Sequence, residues 1–432
     1  MASSPKTELH TLIIGAGTSG LLVAQGLKKA GLPFTIFEQE TAQTYQTRPR
    51  EWGMTLHWGS SHITSCLPPD IVARLPEAYA DPGLSPDAVT GLPIHNGKTG
   101  ELLMEMKAEK PCRVSRKKLR NLFAEGLDIQ YGKELDVIRE TDSGKVKVLF
   151  KDGTEVEGDV VVGCDGARSR VRDEIVGEED AKLTTVPLTM LNFTAQFESE
   201  QALFIRSWNP LFVTSVHPDT GTMFWLSIQD VPDASRPETW TFQVLMSWVN
   251  NPLPASEDTY AGRLAFLKRR AEDWAEPWRS AGRWLRDDTK IPLDQGTYWE
   301  KAKKWDNRGG KMTLCGDAAH PMTPHRGQGL NNALQDASNF VAAVVEAASG
   351  ARTLEEAVDA YDGEVLERGT LEMNISLKQT MFIHNWETLM QSPMVKMGMH
   401  QAKKEEAKEE KEKGKEKEES EDTKAGADEV AT

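Results

Sequence analysis

The segment that most constrains the fold lies near the N-terminus, where a short apolar run leads into a glycine-rich turn. Residues 9–14 predict a strand, the residues after the turn predict a helix, and a second predicted strand ends at Glu38. The turn is Gly15-Ala-Gly17-Thr-Ser-Gly20. In such a β-α-β unit the first glycine permits the turn, the second lets the backbone approach a pyrophosphate, and the third lets helix and strand pack closely. The segment therefore predicts dinucleotide binding, with Glu38 placed to accept hydrogen bonds from a ribose. It does not distinguish FAD from NAD.

A second segment with the features of a ligand-facing turn spans residues 159–172. Its run Val160-Val-Val-Gly is apolar on both faces, which is typical of a central strand in a parallel sheet. The run breaks at Asp165-Gly166, and a basic helix start follows. If this strand lies beside the first one, the carboxyl ends of both face one ligand. An ordinary buried strand that ends in an Asp-Gly turn has the same pattern.

The third segment spans residues 312–336. An apolar run predicts a buried strand, Gly316-Asp317 ends it, and a glycine-rich turn leads into a helix that begins near Leu330. Glycines carry no Cβ and a helix N-terminus presents unpaired N–H groups, so this turn suits an anionic or electron-rich ligand. A structural tight turn with Asp317 as its acceptor is the alternative.

Two stretches between these segments are also candidates for ligand contact. Ser115 is predicted to cap a helix whose first turn contains Arg116. Because cations are disfavoured near a helix N-terminus, Arg116 predicts an anionic partner such as cofactor phosphates. Residues 41–70 combine arginines, glycines and tryptophans, which fits either a ligand-lining loop or the anchors of a surface loop. In that stretch, His57 is either a hydrogen-bonded structural histidine or a group that reaches a substrate.

From residue 183 to residue 298 the pattern changes to short alternating segments separated by turns. Their alternation predicts a mostly antiparallel sheet with one face open to a ligand. Helices are predicted at 258–275 and around 276–286, and a capping box that starts at Thr353 predicts another. The predicted strands are Leu188–Phe197, Ala202–Trp208, Leu211–His217, Thr222–Gln229 and Thr239–Trp248. Earlier in the chain, residues 129–158 predict a β-meander, and residues 68–94 predict loops and a short helix.

Composition narrows the class of protein. The net charge of −15 argues against nucleic acid and anionic membranes as partners. The four cysteines form no CxxC pair, so neither a disulfide framework nor a metal site is predicted. No apolar run resembles a signal peptide or a membrane span. These features favour a soluble cytoplasmic protein, and no protein partner is evident.

Together the three segments resemble the fingerprints of the class A, single-component FAD-dependent aromatic hydroxylases and monooxygenases. The resemblance extends over roughly residues 8–345. Its specific residues include Cys164-Asp-Gly, Gly316-Asp-Ala-Ala-His-Pro and Arg326-Gly-Gln-Gly, and the last two are similar to those of fungal members in secondary metabolism. One departure is His325-Arg326, which replaces the small residues common in the wider family.

The resemblance implies an α/β fold in which a Rossmann-like FAD-binding domain with a βαβ start is combined with a mostly antiparallel substrate-binding sheet and C-terminal helices. The predicted division assigns residues 8–182 and the return segment 299–345 to the FAD-binding domain. In this division residues 183–298 would form the substrate-binding sheet with its helices, residues 346–400 would form C-terminal helices, and residues 401–432 would form a charged, disordered tail.

The resemblance also implies a role for each matching residue. Glu38 would hold the adenosine ribose, Arg116 would reach the FAD ribose or phosphates, and Asp317 would bind the ribitol chain. Asp165 and Gly166 would serve both FAD and the passing nicotinamide cofactor.

The remaining implied roles lie around the flavin ring and the substrate. Pro324 would lie beside the flavin ring. The turn containing Gly327, Gly329 and Leu330 would offer N–H groups near the pyrimidine end of the flavin, where negative charge collects on reduction. Arg206 is the best candidate for orienting a phenolate or carboxylate, with a surface ion-pair partner as the alternative for this arginine, and His57 is a second candidate. Further candidates on the predicted sheet are Trp208, His217, Trp225 and Gln229.

The implied reaction uses NADPH or NADH to reduce FAD, which then forms a C4a-hydroperoxide with O2 and transfers one oxygen atom to a hydrophobic aromatic or olefinic small molecule. A flavin halogenase shares the first fingerprint, but the Trp-x-Trp-x-Ile-Pro stretch that marks that class is absent. A non-redox cyclase or binding protein that keeps FAD on the same fold is the main alternative.

Overall fold

The computed structural model describes residues 9–48, 51–89, 91–107, 112–393 and 395–396. The strands are β1 Thr11–Ile14, β2 Phe34–Glu38, β3 Gly53–Leu56, β4 Gly91–Asn96, β5 Leu102–Lys107, β6 Cys112–Ser115, β7 Ile129–Tyr131, β8 Leu135–Glu140, β9 Val146–Phe150, β10 Glu155–Gly158, β11 Val160–Gly163, β12 Thr184–Ala195, β13 Phe212–Val216, β14 Met223–Asp230, β15 Thr241–Val249, β16 Asp294–Tyr298 and β17 Met312–Leu314. The helices are α1 Thr18–Ala30, α2 Ala42–Thr47, α3 Ser60–Cys66, α4 Pro69–Ala73, α5 Arg116–Ala124, α6 Arg170–Val176, α7 Glu178–Ala181, α8 Ser199–Ser207, α9 Tyr260–Ala271, α10 Trp278–Arg283, α11 Gly329–Ala348, α12 Leu354–Ile383 and α13 Trp386–Gln391.

A parallel sheet carries the three glycine-rich turns. Its strand order is β17-β11-β1-β2-β7, and every neighbouring pair is parallel. The strand β11 lies directly between β1 and β17, with Ile14 opposite Gly163 and Gly163 opposite Leu314. The carboxyl ends of the three strands therefore meet at one edge of the sheet, which confirms the prediction that the first two strands lie side by side.

A second, mixed sheet has the strand order β16-β12-β15-β14-β13-β4-β5. The pairing is antiparallel except between β4 and β13. The predicted strands in 183–298 are confirmed apart from 202–208, of which residues 202–207 lie in helix α8 and Trp208 is its C-cap. Residues 91–107, which the sequence division placed with the FAD-binding domain, supply β4 and β5 of this sheet, so its extent was predicted too narrowly.

The two faces of the mixed sheet differ in character because successive side chains point to opposite faces. One face bears apolar side chains such as Leu226, Ile228 and Val244, which form a core with helices α8, α9 and α10. The opposite face bears polar and aromatic side chains that are buried or half-buried, beside the apolar Met190, Met223 and Leu245, and it is called the polar face below. It contains Asn192, Trp225, Ser227, Gln229, Gln243 and Ser247.

Two smaller β elements complete the framework. Strands β3 and β6 pair as an antiparallel ladder, called the β3–β6 ladder below. Strands β8, β9 and β10 form the predicted meander, whereas β7 joins the parallel sheet beside β2. None of the helices within the described ranges combines the length and apolarity that crossing a bilayer requires.

Two helix caps predicted from the sequence, at Ser115 and Thr353, are present in the structure. The Ser115 hydroxyl accepts the Lys118 N–H at 3.4 Å at the start of α5. Thr353 and Glu356 form the predicted capping box, with the Thr353 N–H donating to Glu356 at 2.9 Å. The predicted tail, 401–432, lies outside the described residues.

Candidate functional site

The first glycine-rich turn is closely packed against the second segment. Gly15 has φ +105°, and a Cβ there would lie 2.4 Å from the Cys164 carbonyl oxygen. A Cβ on Gly20 would lie 2.0 Å from the Gly15 oxygen. Helix α1 begins with Gly17 as its N-cap and has no side-chain cap, so its first N–H groups remain available to a ligand. These glycines therefore allow both tight packing and an anion-binding helix start.

Glu38 lies at the end of β2 beside this turn. Its buried carboxylate accepts the Ala16 N–H at 3.1 Å and the Glu40 N–H at 3.1 Å. Arg48 lies 3.7 Å from the same carboxylate. Glu38 is thus fixed at the turn, and ribose binding by its carboxylate stays a prediction.

Asp165 lies at the carboxyl end of β11. Its Oδ2 accepts the N–H groups of Arg170 at 2.7 Å and Val171 at 3.2 Å. Its Oδ1 is buried and has no partner among the described residues. Burial raises the pKa of this carboxyl above its usual range. Gly166 follows with φ +80°, and a Cβ there would meet no atom within 4 Å. An unpaired buried oxygen beside an open glycine is what a ligand-facing turn requires.

Asp317 lies in a short turn of 3₁₀ helix, Gly316–Ala318, at the end of β17. Its side chain is solvent-accessible although protein surrounds the residue, which is the arrangement of a carboxylate lining a cleft. It has no hydrogen-bond partner within the part of the chain that the structure describes. Enclosure raises the pKa of the Asp317 carboxyl, and the charges of His320 and Arg116 oppose that rise.

Arg116 is therefore close enough to act on Asp317, although the two residues are far apart in sequence. Its guanidinium lies over the Trp52 ring at 4.4 Å and 3.6 Å from the Glu51 carboxylate. Burial lowers the pKa of Arg116, and the Glu51 charge opposes this. The cation predicted from the helix start is thus held between Trp52 and Glu51, near Asp317.

The loop before α11, residues 323–328, is called the flavin loop below. Pro324 is exposed in a 3₁₀ turn, Gly327 has φ +63°, and α11 begins at Gly329 without a side-chain cap. Leu330 is buried. The following residue, Asn331, ties this loop to β3, since its Oδ1 accepts the His57 N–H at 2.9 Å and its Nδ2 donates to the Thr55 carbonyl at 3.1 Å.

His57 therefore lies beside the first turn of α11. Its ring is half-buried, and burial lowers its pKa, which favours the neutral imidazole at neutral pH. This position agrees with a group near the flavin loop, and a role in substrate contact stays a prediction.

These segments fit FAD. Two helix N-termini without side-chain caps, α1 and α11, offer N–H groups to phosphates and to an electron-rich ring. The orphaned Asp165 oxygen and the unpaired Asp317 carboxylate supply acceptors for hydroxyl groups between them. The cleft lies at the carboxyl edge of the parallel sheet, where ligands of this fold class bind.

Arg206 does not lie where the sequence placed it. It is on helix α8, on the apolar side of the mixed sheet, and its guanidinium forms an ion pair with Asp81 and lies 4.7 Å from the Trp240 ring. The helix begins at a capping box of Glu198 and Gln201, in which glutamate takes the place of the usual serine or threonine N-cap. The alternating pattern of 202–208 therefore predicted a strand and not this helix. With its charge paired, Arg206 is not assigned to the substrate.

The other sheet candidates divide between the two faces. Trp225 and Gln229 both lie in β14 on the polar face, on either side of Ser227. His217 packs against Trp274 with ring centroids 4.8 Å apart, on the apolar side, and Trp208 caps α8 near Trp278. Only Trp225 and Gln229 of these four therefore lie on the face with polar character.

Sequence reasoning missed a buried network around His325. His384 Nδ1 lies 2.7 Å from the Thr380 carbonyl, which only accepts, so this nitrogen carries the proton. The neutral His384 Nε2 then accepts from the Ser247 hydroxyl at 2.9 Å. Ser247 Oγ also lies 3.1 Å from His325 Nε2, and His325 Nδ1 lies 3.0 Å from Thr380 Oγ1. His325 and its neighbour Arg326, which pairs with Glu372 at 2.7 Å, thus attach the flavin loop to the polar face and to α12.

This network predicts a pH-dependent contribution to stability. Burial lowers the pKa of His384, and burial together with His384 lowers that of His325. The unfolded chain takes up protons at about pH 6.5, whereas the folded chain stays neutral there, so this stability is present above that pH and is lost as pH falls. Asp362, whose pKa burial raises to about 7, acts in the opposite direction.

We therefore expect His384→Gln to reduce the acid sensitivity of the protein. Thermal denaturation between about pH 7 and pH 5 should show a smaller fall in midpoint for the variant than for the wild type. Asp362 is present in both proteins, so its contribution to the pH dependence of stability cancels in this comparison. An equal or steeper fall in the variant would contradict a neutral His384.

Comparison with known proteins agrees with the geometry. The sequence model of the FAD binding domain matches residues 75–374. Among solved structures, CtdE in complex with FAD and a substrate is similar with a TM-score of 0.72 and 16% identity, covering 90% of this chain and 93% of CtdE. Klebsiella pneumoniae HpxO complexed with FAD and uric acid gives a TM-score of 0.68 and 19% identity, covering 92% and 93%. These two likenesses concern the fold.

Closer relatives are fungal enzymes. The chain is 38% identical over 407 residues to the FAD-dependent monooxygenase phnB of Penicillium herquei, covering 92% of this chain and 96% of phnB. It is 35% identical over 400 residues to the FAD-dependent monooxygenase cctM of Talaromyces islandicus, covering 92% and 98%. The chain belongs to the FAD-dependent monooxygenases of class A and resembles the fungal members that act in secondary metabolism.

Proposed function

We propose that this enzyme uses NADPH or NADH and O2 to insert one oxygen atom into a hydrophobic aromatic or olefinic small molecule. The observation that carries the proposal is the convergence of three glycine-rich turns at one edge of the parallel sheet, next to a buried polar face. By analogy with the fungal relatives, we expect the reaction to belong to the biosynthesis of a secondary metabolite.

The residues at the sheet edge would hold FAD. The α1 start would bind the pyrophosphate, Glu38 the adenosine ribose and Asp317 the ribitol. Asp165-Gly166 would serve the cofactor and the nicotinamide that reduces it. Bound FAD supplies the activation of O2 and the transfer of one oxygen atom.

The flavin loop would control charge and position around the ring. The N–H groups from Gly327 to Leu330 would stabilise negative charge on the reduced ring. Pro324 would lie beside the ring, and the anchoring of His325 to Ser247 would fix this loop against the substrate-binding face.

Location is a further part of the proposal. The four cysteines are unpaired in the structure, and three of them are buried. Free thiols are the usual state in a reducing compartment, which supports a cytoplasmic enzyme.

The proposal is tested with the purified yellow protein in air. Polyhydroxylated aromatic compounds are screened for stimulation of NADPH or NADH oxidation together with O2 uptake. We expect at least one compound to stimulate both. Conversion of a compound without nicotinamide oxidation or O2 uptake would favour the non-redox cyclase alternative and contradict the proposal.

A further inference from the structure

Arg113 is a buried cation on β6 that points from the β3–β6 ladder to the polar face. Only 3% of the surface of Arg113 is exposed to solvent. No carboxylate within the described ranges lies at ion-pair distance from it. A buried charge without a counterion is costly, and proteins normally pair such a group or use it to bind a ligand. Burial accordingly lowers the pKa of Arg113 to about 10.

The guanidinium is held in place by neutral acceptors. Nε donates to the Ile228 carbonyl at 3.3 Å, Nη1 to Thr55 Oγ1 at 3.3 Å and Nη2 to Gln243 Oε1 at 2.8 Å. A guanidinium has five N–H donors, so these bonds leave two for another acceptor. A Cβ at Gly53 would lie 2.3 Å from Nη2, which means that a glycine at this position makes room for the charge.

The surroundings of Arg113 have unused polar atoms and a flat aromatic surface. Ser227 Oγ and Gln229 Oε1, which flank Ile228 on β14, are buried and lack a partner among the described residues. Ser227 lies opposite Gln243 in the strand register. The Trp225 ring lies 5.5 Å from the guanidinium carbon and stacks on Phe212 with centroids 4.0 Å apart.

This group also lies close to the flavin loop. Thr55, which accepts from Arg113, lies 3.9 Å from the position of a Cβ at Gly327. The charge is thus separated from the loop by one side chain. We propose that Arg113 binds an anionic oxygen of the substrate, a phenolate, enolate or carboxylate, and so positions the aromatic ring between the polar face and the flavin loop. This inference rests on the proposed function, because it assigns the substrate to that face.

Arg263 provides a matched control. Its Nε also donates to an isoleucine carbonyl, that of Ile291 at 2.6 Å, and its guanidinium also lies near an aromatic ring, Tyr260 at 4.9 Å. Unlike Arg113, it is paired with a carboxylate, that of Asp258. Arg263→Met therefore tests the loss of a buried arginine without the loss of an unpaired charge.

The test measures binding to the FAD-loaded protein by calorimetry, without turnover. The probes are a dihydroxynaphthoate, its methyl ester, and the dimethoxy ether of that ester. They offer a carboxylate with phenols, phenols alone, and neither. For the wild type we expect at least one of the first two to bind about tenfold or more tightly than the ether. Arg113→Met should reduce this preference to less than about threefold, and Arg263→Met should retain it.

A third variant, Arg113→Lys, tests whether the geometry of the guanidinium matters in addition to its charge. Arg113→Lys keeps the charge but not the planar fork, and should retain part of the preference. An unchanged preference in Arg113→Met, equal binding of the ether and the two hydroxylated probes by the wild type, or no binding of either hydroxylated probe would overturn the inference. Substrate-dependent O2 uptake alongside any of these results would leave the proposed function intact, whereas anion binding without any oxygen chemistry would remove only the proposed function.

Discussion

Asp317→Ala is expected to yield a folded protein that has lost most of its FAD. The Asp317 carboxylate is solvent-accessible in the cleft and is without a hydrogen-bond partner within the described ranges. Its removal therefore breaks no described hydrogen bond of the protein itself. If it accepts hydrogen bonds from the ribitol, each charged bond lost costs about 1.5–3 kcal/mol, or roughly tenfold to a hundredfold in affinity.

The measurement is the flavin content of the purified variant, with its thermal midpoint as a check on folding. Asp142→Ala, which changes an exposed carboxylate in the turn between β8 and β9, is the control and should purify with normal flavin. Normal flavin content in Asp317→Ala would contradict the placement of the ribitol.

Gly20→Ala is expected to damage the fold itself. The added Cβ would lie 2.0 Å from the Gly15 carbonyl oxygen and 3.1 Å from the Cys164 Cβ, so helix α1 would have to move away from the parallel sheet. Overpacking commonly costs about 1–3 kcal/mol, and a clash with backbone belongs at or above the upper end of that range.

Urea denaturation measures the loss in free energy of unfolding. Gly31→Ala is the control that separates the steric clash of an added Cβ from the strain of a left-handed backbone. Gly31 has φ +70°, but a Cβ there would meet no atom within 4 Å. Its replacement should cost only about 1–2 kcal/mol, from the left-handed conformation alone. A Gly20→Ala protein with FAD bound and stability equal to that of Gly31→Ala would show that the turn is not packed as described.

Local patterns were sufficient to predict strands β1, β2, β11 and β17 of the parallel sheet, whereas β7 was placed in the meander. The glycine turn, the doubly apolar strand before Asp165 and the cap at Ser115 each depend on residues close in sequence. The adjacency of β1 and β11 followed from one rule, that the strands of such a fold present their carboxyl ends to a common ligand.

The substrate side was predicted less well because its contacts are between distant residues. Arg113 meets Gln243 across 130 residues, and Ser247 meets His325 across 78. A periodic pattern in the sequence cannot predict contacts between residues so far apart. Strand β4 was missed because glycine and proline obscure the alternation in Gly91–Asn96.

Arg206 was misassigned for a related reason. Its segment alternates well enough to be interpreted as a strand, and its helix begins at Glu198, which is not among the usual N-cap residues. Among the described residues, Arg113 on the polar face is a buried arginine without a carboxylate partner, and we therefore propose for it the role that Arg206 was predicted to have.

The most direct test of the account follows the fate of isotopically labelled dioxygen. The FAD-loaded enzyme, NADPH or NADH, and a compound that stimulates O2 uptake are incubated under the labelled gas, and the product is analysed by mass spectrometry. The account predicts a product that has gained one labelled oxygen atom, with none arising from labelled water. A product without the label, or one formed equally well in the absence of O2, would contradict it.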